Sequence, residues 1–256
     1  MILTINIGNS NITIGGYQED QLVFHAQIYS DTNCSVDEYA IKLSGLMDLY
    51  EIDPAQVEGA ILGSVVPILT GRLSDALRQL CPVRVLLVGP GLKSGLPIRI
   101  DNPGELGAEL LCGAVAGMAA LKPPFVVINM DTAISMMGVN AQGELVGGVI
   151  LPGPQLALTA LIQSTAQLPQ VNFRKKPAGV LATNTADSLQ SGVVLSSADI
   201  LDGMAARFRE ALGEDTQFIA TGTLPPTILK ACRTPILYRR DLILEGLYAI
   251  WKKNRK

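Results

Sequence analysis

Apolar runs broken by small polar turns open the chain. ILTINIGNSNITIGG reads as two strands around a turn, and after the hydrophilic YQEDQ the segment LVFHAQI reads as a third. From Val36 to Leu49 the apolar positions Tyr39, Ile41, Leu43, Leu46 and Met47 fall at helical spacing. VEGAILGSVVP then predicts a buried strand ending at Pro67, Leu69 to Leu80 a helix, and VRVLLVG a further strand. A second half repeats this plan. Glu105 to Leu121 is an Ala-rich helix, PPFVVINMDTAISMMGVN and ELVGGVILPG form another hairpin with polar residues at its mouth, and helices follow to about Ser164. Leu189 to Leu212 is helical, DTQFIATGTLP is a strand entering a Gly-containing turn, and Leu242 to Lys252 is a closing helix. No Pro/Ser-rich linker separates the halves, so the expectation is an α/β protein of two domains, 1–115 and 116–256, packed around a shared cleft.

Composition narrows the classes. With 48% hydrophobic and 17% charged residues, 256 residues can bury enough apolar surface to offset ordering entropy, which excludes disorder over most of the length. A net charge of -3 supplies no basic face on which a phosphate backbone could release counterions, so nucleic acid is not an expected partner. The amino terminus has no positive n-region and turns polar at Asn6, and the longest apolar stretches, such as Leu110 to Leu121, fall short of the roughly 18 to 20 residues of a spanning helix. A cytoplasmic protein without a membrane partner is expected. Cys34, Cys81, Cys112 and Cys232 lack a paired C-x-x-C spacing and are read as core or surface thiols. His25 is the one histidine and has no Cys or acidic cluster beside it in sequence, which removes a His-based triad or multi-histidine metal site.

Chemistry concentrates at the two hairpin tips. The first gathers backbone N–H groups with the side chains of Asn9, Ser10 and Asn11, a concave array that suits phosphate oxygens and equally fits an ordinary β-turn. The second, Asp131, Thr132 and Ala133 with Gly147 and Gly148 downstream, tips the balance toward a nucleotide.

INIGNSN resembles the D-x-G-N-[ST]-N phosphate motif of type III pantothenate kinases, within the acetate and sugar kinase, heat-shock chaperone and actin superfamily. Other blocks follow in order: GSVVP, IDNPGELGAE, INMDTAIS, GGVILPG, TAQLPQV, NTADSLQSG, IATGT and DLILEGL, nine in all and spanning nearly the whole chain. The resemblance implies two ribonuclease-H-like (actin-like ATPase) domains around a central cleft and transfer of a phosphoryl group from ATP, or another nucleoside triphosphate with Mg²⁺, to pantothenate, the first step of coenzyme A biosynthesis. It also implies a monovalent cation (K⁺ or NH₄⁺) and a dimer whose pantothenate pocket draws on both subunits. Matched positions place Asn6, Gly8, Asn9, Ser10, Asn11 and Thr132 around the nucleotide. Gly107, Ala108, Glu109 and Leu110 fall at the pantothenate pocket, and Thr185 where it would reach across the interface.

The departures fall on the groups that do the chemistry. The family carries a metal-linked aspartate where this chain has Asn6, and a second, tied to the monovalent cation, where it has Asn129. An amide supplies oxygen without charge, so metal holding is expected to weaken. Glu109 occupies the place of the catalytic aspartate, one methylene further out, and a misplacement of about 1 Å can cost roughly 10²-fold. Leu110 replaces an arginine, Ile100 a pocket tyrosine and Asp131 the glycine of the second phosphate turn. Three functions follow as expectations. The chain is a degenerate subunit that completes the pocket of an intact homologous partner. Otherwise it is a self-sufficient homodimeric pantothenate kinase with Glu109 as base, or a non-catalytic regulator that senses ligand.

Overall fold

The computed structural model describes residues 1–177, 179–223 and 226–255. Two five-stranded mixed sheets organise it. In the first, β1 (Ile2–Ile7) lies at the centre, with β2 (Asn11–Gln18) and β3 (Gln21–Tyr29) antiparallel on one side and β4 (Gly59–Ser64) and β5 (Arg84–Leu87) parallel on the other. The second repeats that order about β6 (Phe125–Met130), with β7 (Ala133–Val139) and β8 (Leu145–Pro152) antiparallel to one side and β9 (Gln217–Gly222) and β10 (Leu237–Tyr238) parallel to the other. The expected α/β class with two ribonuclease-H-like units is what the structure has.

Parallel neighbours require crossovers, and helices supply them. In the first unit α1 (Val36–Leu49) joins β3 to β4 and α2 (Pro67–Leu80) joins β4 to β5. A capping box starts α1, with Ser35 accepting from the Glu38 N–H while the Glu38 carboxylate accepts from the Ser35 N–H. Strand alternation sends Leu3, Ile5 and Ile7 into a core with Tyr39, Leu43, Leu69 and Leu73, all at most 2% exposed. Ile41, expected on the apolar stripe, is instead 72% exposed. The opposite face of β1 carries Thr4 and Asn6, registered with Gly15 and Thr13 on β2 and with Ile61 and Gly63 on β4. The two glycines among these neighbours leave room for α3 (Ala108–Ala120) and α7 (Leu242–Asn254). The two helices touch backbone to backbone, because any Cβ on Gly246 of α7 would collide with the Cys112 carbonyl of α3.

In the second unit α4 (Pro154–Gln163) and α5 (Thr185–Leu212) join β8 to β9, and the short α6 (Pro226–Ala231) leads to β10. Val126, Ile128 and Met130 of β6 pack with Leu158, Val194, Leu201 and Ile228. The unit boundaries differ from a cut at 115/116. The first unit is Met1–Leu96, Asp101–Ala116 and Asp241–Lys256, and the second is Pro97–Ile100 and Gly117–Arg240. The closing helix belongs with the first sheet because Leu244, Leu247 and Trp251 cover β1, β2 and β4. Residues 97–100 join the second through the pairing of Ile98 with Leu145 and the Arg99–Glu144 ion pair at 3.0 Å.

Helix α5 starts a turn before the expected Leu189, its Asn184 cap accepting from the Asp187 N–H. β8 is a third strand on β7, where the sequence suggested only a hairpin arm. The four cysteines are free thiols, as expected. His25 has an acidic neighbour that its sequence surroundings did not reveal. Its Nδ1 lies 2.6 Å from Asp241 Oδ1, which fastens β3 to the start of α7. No helix among the described residues is long and apolar enough to cross a membrane.

Candidate active site

Ligands of open sheets gather beyond the carboxyl ends of parallel strands, and both hairpin turns lie there. The first turn follows β1. Gly8 is buried and its N–H donates to the Asn11 carbonyl at 2.9 Å, while Asn9 is exposed and Ser10 and Asn11 are half-buried. Ser30, at the end of β3, braces the turn twice. Its hydroxyl donates to the Gly8 carbonyl at 2.6 Å and its N–H to the Ser10 carbonyl at 3.0 Å.

One turn of helix brings the carboxylate to this hairpin. The Gly107 carbonyl accepts from the Leu110 and Leu111 N–H groups and so starts α3, with Ala108 buried beside Gly63. Glu109 then stands in the first turn, half-buried, at the end of a helix where negative charge is favoured. Its Oε1 accepts a hydrogen bond from Asn6 Nδ2 at 2.9 Å, across 103 residues of sequence. The other end of that amide, Oδ1, is buried without a hydrogen-bond partner. One helical turn further on, burial of the Cys112 thiol pushes its pKa far up, and the Glu109 charge adds to the effect.

These residues do not fit a divalent cation bridging positions 6 and 109. Such an ion needs oxygen on both sides, and Asn6 turns a nitrogen with its protons toward Glu109. Among the described residues no group of three His, Cys, Asp or Glu side chains is placed to hold a metal.

In the second unit the turn after β6 has its own bracing. Asp131 N–H donates to the Ala133 carbonyl at 2.9 Å, and Thr223, just past β9, donates its hydroxyl to Asp131 Oδ1 at 3.1 Å. Gly153 N–H donates to the Thr132 carbonyl at 3.0 Å, and a Cβ on Gly153 would strike the Asp131 and Thr132 carbonyls. Asn129 is buried on β6 beside Ser135 and Thr221, and Thr132 is exposed at the tip. Thr223 thus holds the Asp131 carboxylate and Gly153 braces the turn backbone beneath it, both quoted in the sequence only as parts of blocks.

The predicted residues therefore fall into two groups. Asn6, Gly8 to Asn11 and Gly107 to Leu110 belong to the first unit, and Asn129, Thr132 and Thr185 to the second. Thr185 is exposed in the first turn of α5. Leu110 is half-buried and offers no charge beside Glu109. Gly107 has room for a Cβ, so its identity is not required by local packing. Within the second unit a shallow pocket of about 560 Å³, lined by Leu121, Arg209, Phe218 and Leu237 among others, lies at the amino-terminal ends of β9 and β10, away from that unit's turn.

A family model described as type III pantothenate kinase matches residues 2–207. A type III pantothenate kinase of Citrifermentans bemidjiense is 36% identical over 255 residues, covering 100% of both chains. One from an Exiguobacterium species is 37% identical over 256 residues, again covering 100% of both. Among solved structures, the activator of the 2-hydroxyisocaproyl-CoA dehydratase from Clostridium difficile, with bound ADPNP, shares the fold at 12% identity. Its TM-score is 0.53, and the match covers 99% of this chain and 96% of that one.

Proposed function

This chain belongs to the type III pantothenate kinase family, and we propose that it serves pantothenate phosphorylation in coenzyme A biosynthesis as the degenerate subunit of a heteromer, completing the pocket of an intact homologous partner. The observation that carries this reading is the Asn6–Glu109 hydrogen bond. A general base must take a proton from the hydroxyl that attacks the γ-phosphate of ATP. An amide N–H donated to the carboxylate occupies an oxygen that would otherwise be open to that proton. Leu110 withholds the cation that would stabilise transferring phosphate, and the fixed Asp131 carboxylate sets negative charge at the second turn. The braced turns and the exposed Thr185 support a scaffold retained for use by a partner.

A second reading has one observation in its favour: the Glu109 carboxylate is held beside the first hairpin, where a base belongs. It makes the chain a self-sufficient homodimeric kinase.

The purified chain, given pantothenate, ATP and Mg²⁺ with K⁺ or NH₄⁺, is expected to turn over at least about 10²-fold more slowly than the complex with an intact family member. In that complex Thr185→Ala lowers activity and Glu109→Ala does not. Full activity of the chain alone, abolished by Glu109→Ala, rejects the subunit reading for the homodimeric one. Ligand binding without turnover, whatever partner is supplied, rejects both in favour of a sensor.

A further inference from the structure

We infer that Asn6 is a positioning residue that replaces a cation: its amide holds Glu109 by a direct hydrogen bond, so this site fixes its carboxylate with no metal between positions 6 and 109. The inference rests on reading the first hairpin and α3 as the phosphoryl-transfer site. Near transferring phosphates some carboxylates are held by a divalent ion that oxygen atoms surround. Here alternation along β1 turns Asn6 toward α3, away from the Leu3–Ile5–Ile7 core, and the Gly63 and Gly246 contacts bring the first turn of α3 within 2.9 Å of it. The amide could rotate, and its orientation is chosen by the neighbour. Turning the oxygen to Glu109 would set two acceptors against each other, whereas the observed orientation leaves Oδ1 buried and unpartnered. Cys112, one turn along, adds no second negative charge, because burial keeps its thiol protonated.

A carboxylate at position 6 would face Glu109 as a like charge and need an ion between them. The test is therefore the thermal midpoint of the isolated chain with and without millimolar Mg²⁺, at fixed pH and ionic strength, for wild type, Asn6→Leu, Asn6→Asp and the Asn6→Asp/Glu109→Gln double variant. Wild type and Asn6→Leu are expected to respond alike to Mg²⁺, within about 1 °C. Asn6→Asp is expected to melt about 2–4 °C lower without Mg²⁺ and to recover with it, a shift of the size a change in one contact produces in a chain of this length. The double variant loses the recovery. A Mg²⁺ gain in wild type that Asn6→Leu abolishes overturns the inference, as does a folded Asn6→Asp indifferent to Mg²⁺. Should Asn6→Asp not fold, the wild type against Asn6→Leu comparison decides by itself. None of these readouts needs turnover or a partner, so they stand or fall separately from the subunit assignment.

Discussion

The two central strands end alike and are finished differently. β1 closes on Ile-Asn-Ile and β6 on Ile-Asn-Met, each with its asparagine on the face turned away from the larger helical core and each followed by a polar turn. In the first unit that asparagine reaches a carboxylate on a helix 103 residues away, and the turn is braced by the Ser30 hydroxyl. In the second the asparagine stays buried beside Thr221, and the turn is braced through a carboxylate of its own, Asp131, held by Thr223. One topology thus places a carboxylate in two different ways. At the first tip the charge comes from a helix that must dock correctly, and at the second it is built into the loop.

This contrast can be broken at its supports. The largest effect is expected at Gly246, because docking of α7 on α3 is what aims Glu109. Gly246→Val drives a side chain into the Cys112 carbonyl and should cost about 3 kcal/mol or more, read as a lowered denaturation midpoint or as loss of soluble protein. Next comes Gly153→Ala, which strikes the Asp131 and Thr132 carbonyls and should cost about 2 kcal/mol while leaving the first unit's packing alone. Tyr39 and Trp251 in the first unit and Phe218 in the second are reporters for telling the two losses apart.

The smallest change sharpens the comparison instead. α1 and α2 of the first unit pack through Leu43, Leu73 and their neighbours, whereas α5 secures the segment after the six-residue α6 with a carboxylate. Asp202 accepts the N–H groups of Arg233 and Thr234, both at 2.8 Å. Burial pushes that carboxyl up, but the hydrogen bonds outweigh it and hold its pKa below the usual carboxylate range. A depressed folded-state value adds stability above pH of about 4 and loses it as pH falls through that value. Asp202→Asn should therefore cost about 1–2 kcal/mol at neutral pH, with its urea midpoint converging on wild type in acid.

Much of the fold was legible because periodicity reports burial. The helix predicted over Val36–Leu49 has those bounds, and the closing helix extends only two residues beyond Lys252. What escaped lacked a periodic signature. α6 and β10 are too short to show one, and α5 begins in a polar turn that only the Asn184 cap marks. The site was half legible for the same reason. Asn6 and Glu109 each stand out by residue type, but their contact depends on Gly63 and Gly246 letting backbones approach, a consequence of absent side chains that hydropathy does not register. Likewise Asp131 was visible, and its partner Thr223 was not. His25 and Asp241, 216 residues apart, meet because α7 returns to the first sheet.

That return has a consequence for how the protein comes to be made. On a ribosome β1 emerges ahead of every other element named here, yet α7, one of the two helices over its Thr4–Asn6 face, is translated more than two hundred residues later. The second unit, nearly continuous in the chain, can close its core while the first still shows an open sheet to solvent and to chaperones. The earlier-made unit is the later to mature, and the carboxylate at position 109 gains its final address only once α7 has been made.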